Sequence, residues 1–152
     1  MNTSFRQLCV MGIAGFLLVP AISLGAEPED LIKYRRSVMK AIGGHMSATS
    51  LIVRGKVPYK AQLTQHVNAL KVLSQDIPAL FPEDSDFGET HAKQEIWEEW
   101  DNFTKAADSA MKSTEILLKT VEAGNDSELP ASFKKVGESC KGCHKDFREK
   151  DE

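Results

Sequence analysis

The sequence predicts an all-α fold, an antiparallel four-helix bundle, and three observations lead to that prediction. The chain has 152 residues, 41% hydrophobic and 27% charged, which fits one globular domain. Apolar residues recur at intervals of three and four over four long segments, as in amphipathic helices. No segment sustains the alternation of apolar and polar residues that is typical of a half-buried strand. The net charge of −3 gives no basis for binding nucleic acid.

Residues 1–26 are predicted to be a cleaved secretory signal peptide. Arg6 is the only charge, and an apolar run over 8–24 follows it. The small residues that close the segment are Ser23, Gly25 and Ala26. A transmembrane anchor is the alternative reading of this borderline length, but Pro20 near its end favours cleavage after Gly25 or Ala26. The expected mature domain is 27–152, periplasmic and without a membrane segment.

The first two helices are predicted over residues 28–54 and 59–77. The first opens with a proline and two acids, which suit an initial helical turn, and ends at Gly55. Pro78 stops the second. The apolar face of the first consists of two rows, Leu31, Val38, Ile42, Thr49 and Ile52, and Ile32, Met39 and Met46. The seam of the second is Leu63, Val67, Leu70, Leu73 and Ile77.

The last two helices are predicted over residues 93–123 and 127–149. The connection before them, 78–92, is the longest in the chain, and long connections in a compact bundle often touch a ligand. Gly124 and Asn125 separate the two helices. The seam of the last helix is Leu129, Phe133, Val136, Cys140, Cys143 and Phe147. Two cysteines therefore occupy core positions, and whatever they hold is expected inside the bundle.

The segment from Cys140 to His144 is a Cys-x-x-Cys-His motif, which is the attachment sequence of c-type haem. On a helix, Cys140 and Cys143 lie one turn apart on one face, where both thiols can form thioethers with one porphyrin. His144 shares that face and can bind the iron. A zinc site needs four ligands, a dithiol redox site follows a strand, and an i,i+3 disulfide has poor geometry in a helix. The motif therefore predicts one covalent haem c per chain.

At this point the sequence resembles the cytochrome c′ family, the class II c-type cytochromes. The resemblance spans the whole mature chain and includes PEDLIKYR at 28–35, GKVPY at 55–59, EIW at 95–97 and GESCKGCHKDFR at 137–148. It implies a four-helix bundle with the haem motif near the C-terminus. It also implies an iron whose sixth position is either vacant and open to nitric oxide or carbon monoxide, or filled by a methionine.

The resemblance places Met39 at that sixth position. An apolar cover over a five-coordinate iron is the favoured interpretation, since core methionines more often pack than ligate. The alternative is a six-coordinate, low-spin electron carrier with methionine and histidine ligands. Met46, two turns further on, is a weaker candidate for the same role.

The resemblance also assigns residues around the haem. Arg35 is expected near a propionate or a bound ligand, although a solvated helix charge is the simpler reading from the residues alone. Arg36 stands where many members have glutamine. Glu89 and Thr90 match a segment beside the haem edge, and Arg148 matches a basic residue beside the proximal histidine.

Two classes of function remain open from the sequence. The first is electron transfer or binding of diatomic gas without turnover, and the second is a haem enzyme such as a peroxidase. A peroxidase needs distal acid–base groups, which Met39 is not, and His45 is nearly two turns away. Gly43 and Gly44 inside the first helix indicate a close approach, and with the resemblance they predict a homodimer. His45, His66 and His91 are expected on helix faces or the surface.

Overall fold

The computed structural model describes residues 26–150, and these form the bundle that the sequence predicts. The helices are α1 (Pro28–Val53), α2 (Leu63–Ser74), α3 (Glu95–Glu98), α4 (Trp100–Glu122) and α5 (Leu129–Phe147). Nearly all of the predicted signal peptide lies outside the described residues. Within the described part, no helix is both long and apolar enough to cross a bilayer.

Local sequence explains the ends of α1 and α4. Pro28 begins α1, with two acids in its first turn. After α1, the amide of Gly55 donates to Ile52 O (2.9 Å) and the amide of Lys56 to Leu51 O (2.9 Å). This pair of bonds is the Schellman motif, and it requires the left-handed φ of 63° that glycine adopts freely. The same two bonds follow α4 around Gly124, whose φ is 64°.

The second predicted helix is shorter than expected and is flanked by two 3₁₀ turns. The prediction of one helix over 59–77 is wrong, because α2 ends at Ser74. A 3₁₀ turn at Lys60–Gln62 replaces its start, and a second one at Pro78–Leu80 follows its predicted end. Pro78 explains the early end, since its ring clashes with the carbonyl four residues before it in a continuing helix, and that residue is Ser74.

The third predicted helix is interrupted. The backbone of Glu99 (φ −115°, ψ 43°) separates α3 from α4. Trp97 Nε1 donates to Pro82 O (3.0 Å), so the chain is tied to the preceding loop just before the break. Carboxylates crowd the same short stretch, at Glu95, Glu98, Glu99 and Asp101. Their repulsion and the tertiary bond both weaken a continuous helix here.

The end of α5 pairs with the loop before α3. Residues 81–94 form this loop, called the long loop below, and Ala92 makes an isolated antiparallel bridge with Arg148. The amide of Lys93 donates to Phe147 O (3.2 Å), and the amide of Glu149 donates to His91 O (2.8 Å). The predicted fourth helix, 127–149, therefore stops at Phe147, where the chain becomes extended.

The bundle buries two clusters, one toward each end. The aromatic cluster is Ile77, Phe81, Ile96, Phe103, Ala107 and Phe147. The aliphatic cluster is Leu63, Val67, Leu117, Leu129 and Val136. α1 packs on α2, α2 on α4 and α4 on α5, whereas α1 and α5 touch only sparsely. Among neighbouring helices of the bundle, the two that bear the predicted axial residues thus pack least tightly.

Candidate haem site

Cys140 and Cys143 lie one turn apart on α5 and are both half-buried. Cys143 packs against the aromatic cluster and Cys140 against the aliphatic cluster. Both are free thiols. The motif therefore spans the junction between the two halves of the core, and apolar side chains flank it on both sides.

Burial keeps both thiols protonated. Desolvation, followed by the charges of Cys140 and Asp146, raises the pKa of Cys143 to about 11. Desolvation also raises the pKa of Cys140, against a smaller opposing effect of a hydrogen bond with Ser139. A zinc ion requires thiolates, which this environment disfavours. Among residues 26–150, no three or more His, Cys, Asp or Glu side chains gather into a metal-binding group.

His144 follows Cys143 directly and is held neutral. Desolvation first, and the positive charge of Arg148 second, lower the pKa of its imidazole. A lowered pKa means that the ring carries a lone pair at neutral pH, which a metal ligand needs. The amide of Arg148 donates to His144 O (3.1 Å), so the two residues are also joined through the backbone.

Met39 lies on α1, half-buried, and packs against the same aromatic cluster as Cys143. Met46 packs against the aliphatic cluster, on the side of Cys140. Of the two methionines that the sequence singles out, Met39 is the one grouped with the Phe81, Phe103 and Phe147 rings. α1 and α5 thus present the thioether of Met39 and the thiol of Cys143 to one shared apolar region.

Arg35 is not a solvated helix charge, because only 2% of it is exposed. Its Nη1 donates to Ser85 Oγ (3.0 Å), and its Nη2 donates to Ser85 O (2.9 Å) and Thr90 Oγ1 (3.1 Å). Its guanidinium also stacks 4.6 Å from the centre of the Phe81 ring. Desolvation lowers the pKa of Arg35. The side chain fastens the long loop to α1.

The structure brings four of the predicted haem-surrounding residues together. Thr90 accepts from Arg35, and Arg36 Nη1 lies 3.5 Å from Glu89 Oε2, so two neighbouring residues of α1 hold two neighbouring residues of the long loop. Arg148 forms a bridge with Ala92, two residues after Thr90, and its amide donates to His144 O. Sequence reasoning missed Ser85, which is fully buried and makes two of the three bonds to Arg35. A lone serine in a loop carries no local signal of such a role.

The residues present fit a covalently held haem. The donor set comprises two neutral thiols on one helical face, a neutral imidazole next to them, and a thioether on the facing helix. Both thiols are free and can form thioethers with the vinyl carbons of a haem, whereas a bound cation requires thiolates, which this environment disfavours. Apolar side chains of both clusters supply the walls that a porphyrin requires.

Comparison with known proteins agrees with this fit. A model of the family described as Cytochrome C' matches residues 30–148. The cytochrome c′ of Pararhodospirillum photometricum is 34% identical over 125 residues, covering 82% of this chain and 100% of the relative. A nitric oxide complex of a cytochrome c prime variant from Alcaligenes xylosoxidans superimposes with a TM-score of 0.76 at 34% identity, covering 84% of this chain and 99% of that one.

A carbon monoxide complex of another variant of the Alcaligenes protein gives a TM-score of 0.75 at 34% identity, covering 82% of this chain and 98% of that one. The match of the family model covers most of the chain, and the solved relatives share its fold. The chain therefore belongs to the cytochrome c′ family, whose members carry one covalently attached c-type haem per chain and bind nitric oxide and carbon monoxide.

Proposed function

We propose that this chain is a periplasmic c-type haem protein that binds diatomic gases and exchanges single electrons, without turning over a substrate. The observation that carries the proposal is the position of Met39, an apolar side chain packed with Cys143 against the aromatic cluster. The gas complexes of the Alcaligenes relative support it.

Cys140 and Cys143 hold the haem through thioethers, and His144 is the proximal ligand of its iron. When bound, the haem supplies a one-electron couple and an axial position for a small ligand. The lowered pKa of His144 keeps its lone pair available, and Arg148 disfavours protonation of that ring. Extraction with acidified acetone should leave the haem on the protein. In His144→Ala the thioethers remain possible, and an unchanged iron spectrum would show that another residue is the ligand.

Met39 covers the distal side and leaves the iron five-coordinate. Its thioether excludes water, and the aromatic cluster holds it in place. An entering gas molecule must displace this side chain, so binding should be slower than at an open haem. Ferrous protein should be high-spin and bind carbon monoxide, and Met39→Ala should speed that binding without changing the resting spin state.

A low-spin resting spectrum in the native protein contradicts this assignment. Met39 is then the sixth ligand, and Met39→Ala should convert the iron to high-spin and lower its reduction potential. The outcome selects the electron-carrier function over gas binding. Absorption spectra of both oxidation states, recorded on native protein and Met39→Ala, separate the two cases.

The surroundings of Met39 support gas binding over peroxidase chemistry. The aromatic cluster against which it packs contains no acid–base side chain. Arg35, four residues before Met39, is engaged by Ser85 and Thr90, and its guanidinium stays protonated at neutral pH and so cannot act as a base. Hydrogen peroxide with a colour-forming donor should give no turnover above that of free haem, and a saturable rate above it contradicts the assignment.

Arg35, Arg36, Glu89 and Thr90 border the haem through the long loop, and Arg148 borders the proximal histidine. Three of these residues can donate hydrogen bonds to carboxylates through guanidinium groups. Reduction potentials of Arg36→Gln and Arg148→Gln test the assignment, because loss of a cation near the haem lowers the potential. A potential that is unchanged in both variants would place these charges away from the haem.

The chain forms a homodimer through its first two helices, α1 and α2. An added Cβ at Gly43 or Gly44 meets nothing within 4 Å inside the molecule, so internal packing does not require either glycine. A second copy that approaches α1 closely explains both. Sedimentation equilibrium should show a dimer for native protein and a weaker one for Gly44→Gln, whereas Ala131→Gln, an exposed control on α5, should match native protein. A native monomer at micromolar concentration contradicts the dimer.

A further inference from the structure

Two histidines outside the haem site face each other across α1 and α2. His45 Nδ1 lies 3.0 Å from His66 Nδ1, and the pair is partly buried. The ring centroids are 5.3 Å apart, and the ring planes are inclined by 57°. The sequence separates the two residues by 21 positions, and it predicts only that each lies on a helix face.

The two rings meet head-on. The centroid separation of 5.3 Å nearly equals the 3.0 Å between the nitrogens plus the distance from each ring centre to its own Nδ1. Each nitrogen therefore points at the other. A contact of this kind holds one proton, with one Nδ1–H donating and the other Nδ1 accepting through its lone pair. The helices have thus brought two imidazole nitrogens together at one point.

We propose that this pair binds one late transition-metal dication, such as Zn²⁺ or Cu²⁺, in place of the shared proton. Metal–nitrogen bonds are about 2.0–2.1 Å long, so two such bonds at a right angle span about 2.9 Å, and at the tetrahedral angle about 3.4 Å. The observed 3.0 Å lies within that interval. Both rings need only turn until their lone pairs converge on one side, and the ion then joins α1 to α2.

The ligand chemistry selects the ion. Imidazole nitrogens suit copper, nickel and zinc, whereas magnesium and calcium require oxygen ligands. Within residues 26–150, no third His, Cys, Asp or Glu joins the pair, so water completes the coordination.

Zinc titration of the haem-loaded ferric protein tests the proposal. Tag-free protein in a metal-free, non-chelating buffer near neutral pH is titrated with zinc chloride in a calorimeter. Native protein should bind one ion per chain, and His45→Asn and His66→Asn should each weaken binding by at least about tenfold. His91→Asn, in the long loop, is the matched control and should bind as native protein does. Absence of a binding heat in native protein, or equal affinity in both pair variants, overturns the proposal.

Thermal unfolding provides a second measurement of zinc binding, which can be interpreted even if a histidine variant is less stable than native protein. Zinc that binds the folded pair must raise the Tm of native protein, because the unfolded chain does not hold the two rings together. The same addition should leave the Tm of His66→Asn unchanged while its haem absorbance shows a native fold. An equal rise in native protein and His66→Asn shows that zinc acts elsewhere and rejects the site.

Discussion

The two ends of the bundle bury side chains equally well but are held by different contacts. At one end, Phe81 and Phe147 each meet Phe103 edge to face, at 4.9 and 5.4 Å, and the buried Arg35 binds the long loop. At the other end, the buried members of the aliphatic cluster include no ring, and Phe133 packs against them while partly exposed. Aromatic edges and hydrogen bonds fix orientation, whereas aliphatic packing mainly fills volume. Met39 lies at the end of the bundle where aromatic edges and hydrogen bonds fix the orientation of the side chains.

The largest expected effect on stability comes from a substitution that disrupts the aromatic cluster. Phe103→Ala should lower the free energy of unfolding by about 3–5 kcal/mol, because Phe81 and Phe147 both lose their partner. Since Met39 packs on the same cluster, carbon monoxide should also bind at a changed rate. Leu117→Ala at the aliphatic end should cost about 2–5 kcal/mol and leave that rate unchanged. Urea unfolding and stopped-flow binding measure both effects, and equal rate changes in the two variants contradict the distinction between the ends.

A second change removes only the directional bonds of Arg35. Arg35→Lys keeps the charge but loses the planar fork that reaches Ser85 and Thr90 at once. The expected loss of stability is about 2–3 kcal/mol. Hydrogen exchange should rise in the long loop and stay constant in the second half of α4. Uniform exchange throughout the chain would show that Arg35 stabilises the whole bundle rather than the loop.

A smaller effect of opposite sign is expected at Thr49. This side chain is fully buried, and its Oγ1 has no hydrogen-bond partner within the described chain. Thr49→Val keeps the branched shape and removes the unpaired hydroxyl, so it should raise the free energy of unfolding by about 1 kcal/mol. Chemical denaturation measures the change. A loss of stability instead would reveal that the hydroxyl has a partner in the haem-loaded protein.

The smallest effect concerns the outer contact of the same loop. Arg36 and Glu89 are largely exposed, and their charges lie 3.5 Å apart. Glu89→Gln should change stability by less than about 1 kcal/mol, and salt should reduce the difference further. Comparison with Arg35→Lys in the same denaturation series shows how much more a buried contact of the loop contributes to the free energy of unfolding than an exposed one. If Glu89→Gln lowered the free energy of unfolding as much as Arg35→Lys does, the exposed and buried contacts of the loop would contribute equally.

The sequence predicted the parts of this molecule that depend on neighbouring residues. The period of three and four located the helices, and Gly55 and Gly124 located two helix ends through a local backbone requirement. The run of carboxylates around Glu99 was not enough to locate the break there, because the break also depends on the bond from Trp97 to Pro82, which requires the folded loop.

The site residues also divide into those that a local motif predicts and those that only tertiary packing brings together. Cys140, Cys143 and His144 form a local motif, so their chemistry was evident from spacing alone. The partner of Arg35 was not, because Ser85 lies 50 positions away and a single serine resembles any loop residue. The contact between His45 and His66 was not predictable for the same reason. Only the packing of α1 on α2 determines which faces of the two helices touch.

The pairing of residues 91–93 with 147–149 determines the order in which parts of the chain can pack during biosynthesis. Chains fold from the N-terminus as they are made, and α1, α2 and α4 can pack as soon as they emerge. The far side of the long loop has no partner until the residues after the Cys140–His144 motif exist. The motif is therefore complete before this side of the loop is fastened, so the loop closes over a chain that already contains both cysteines and His144.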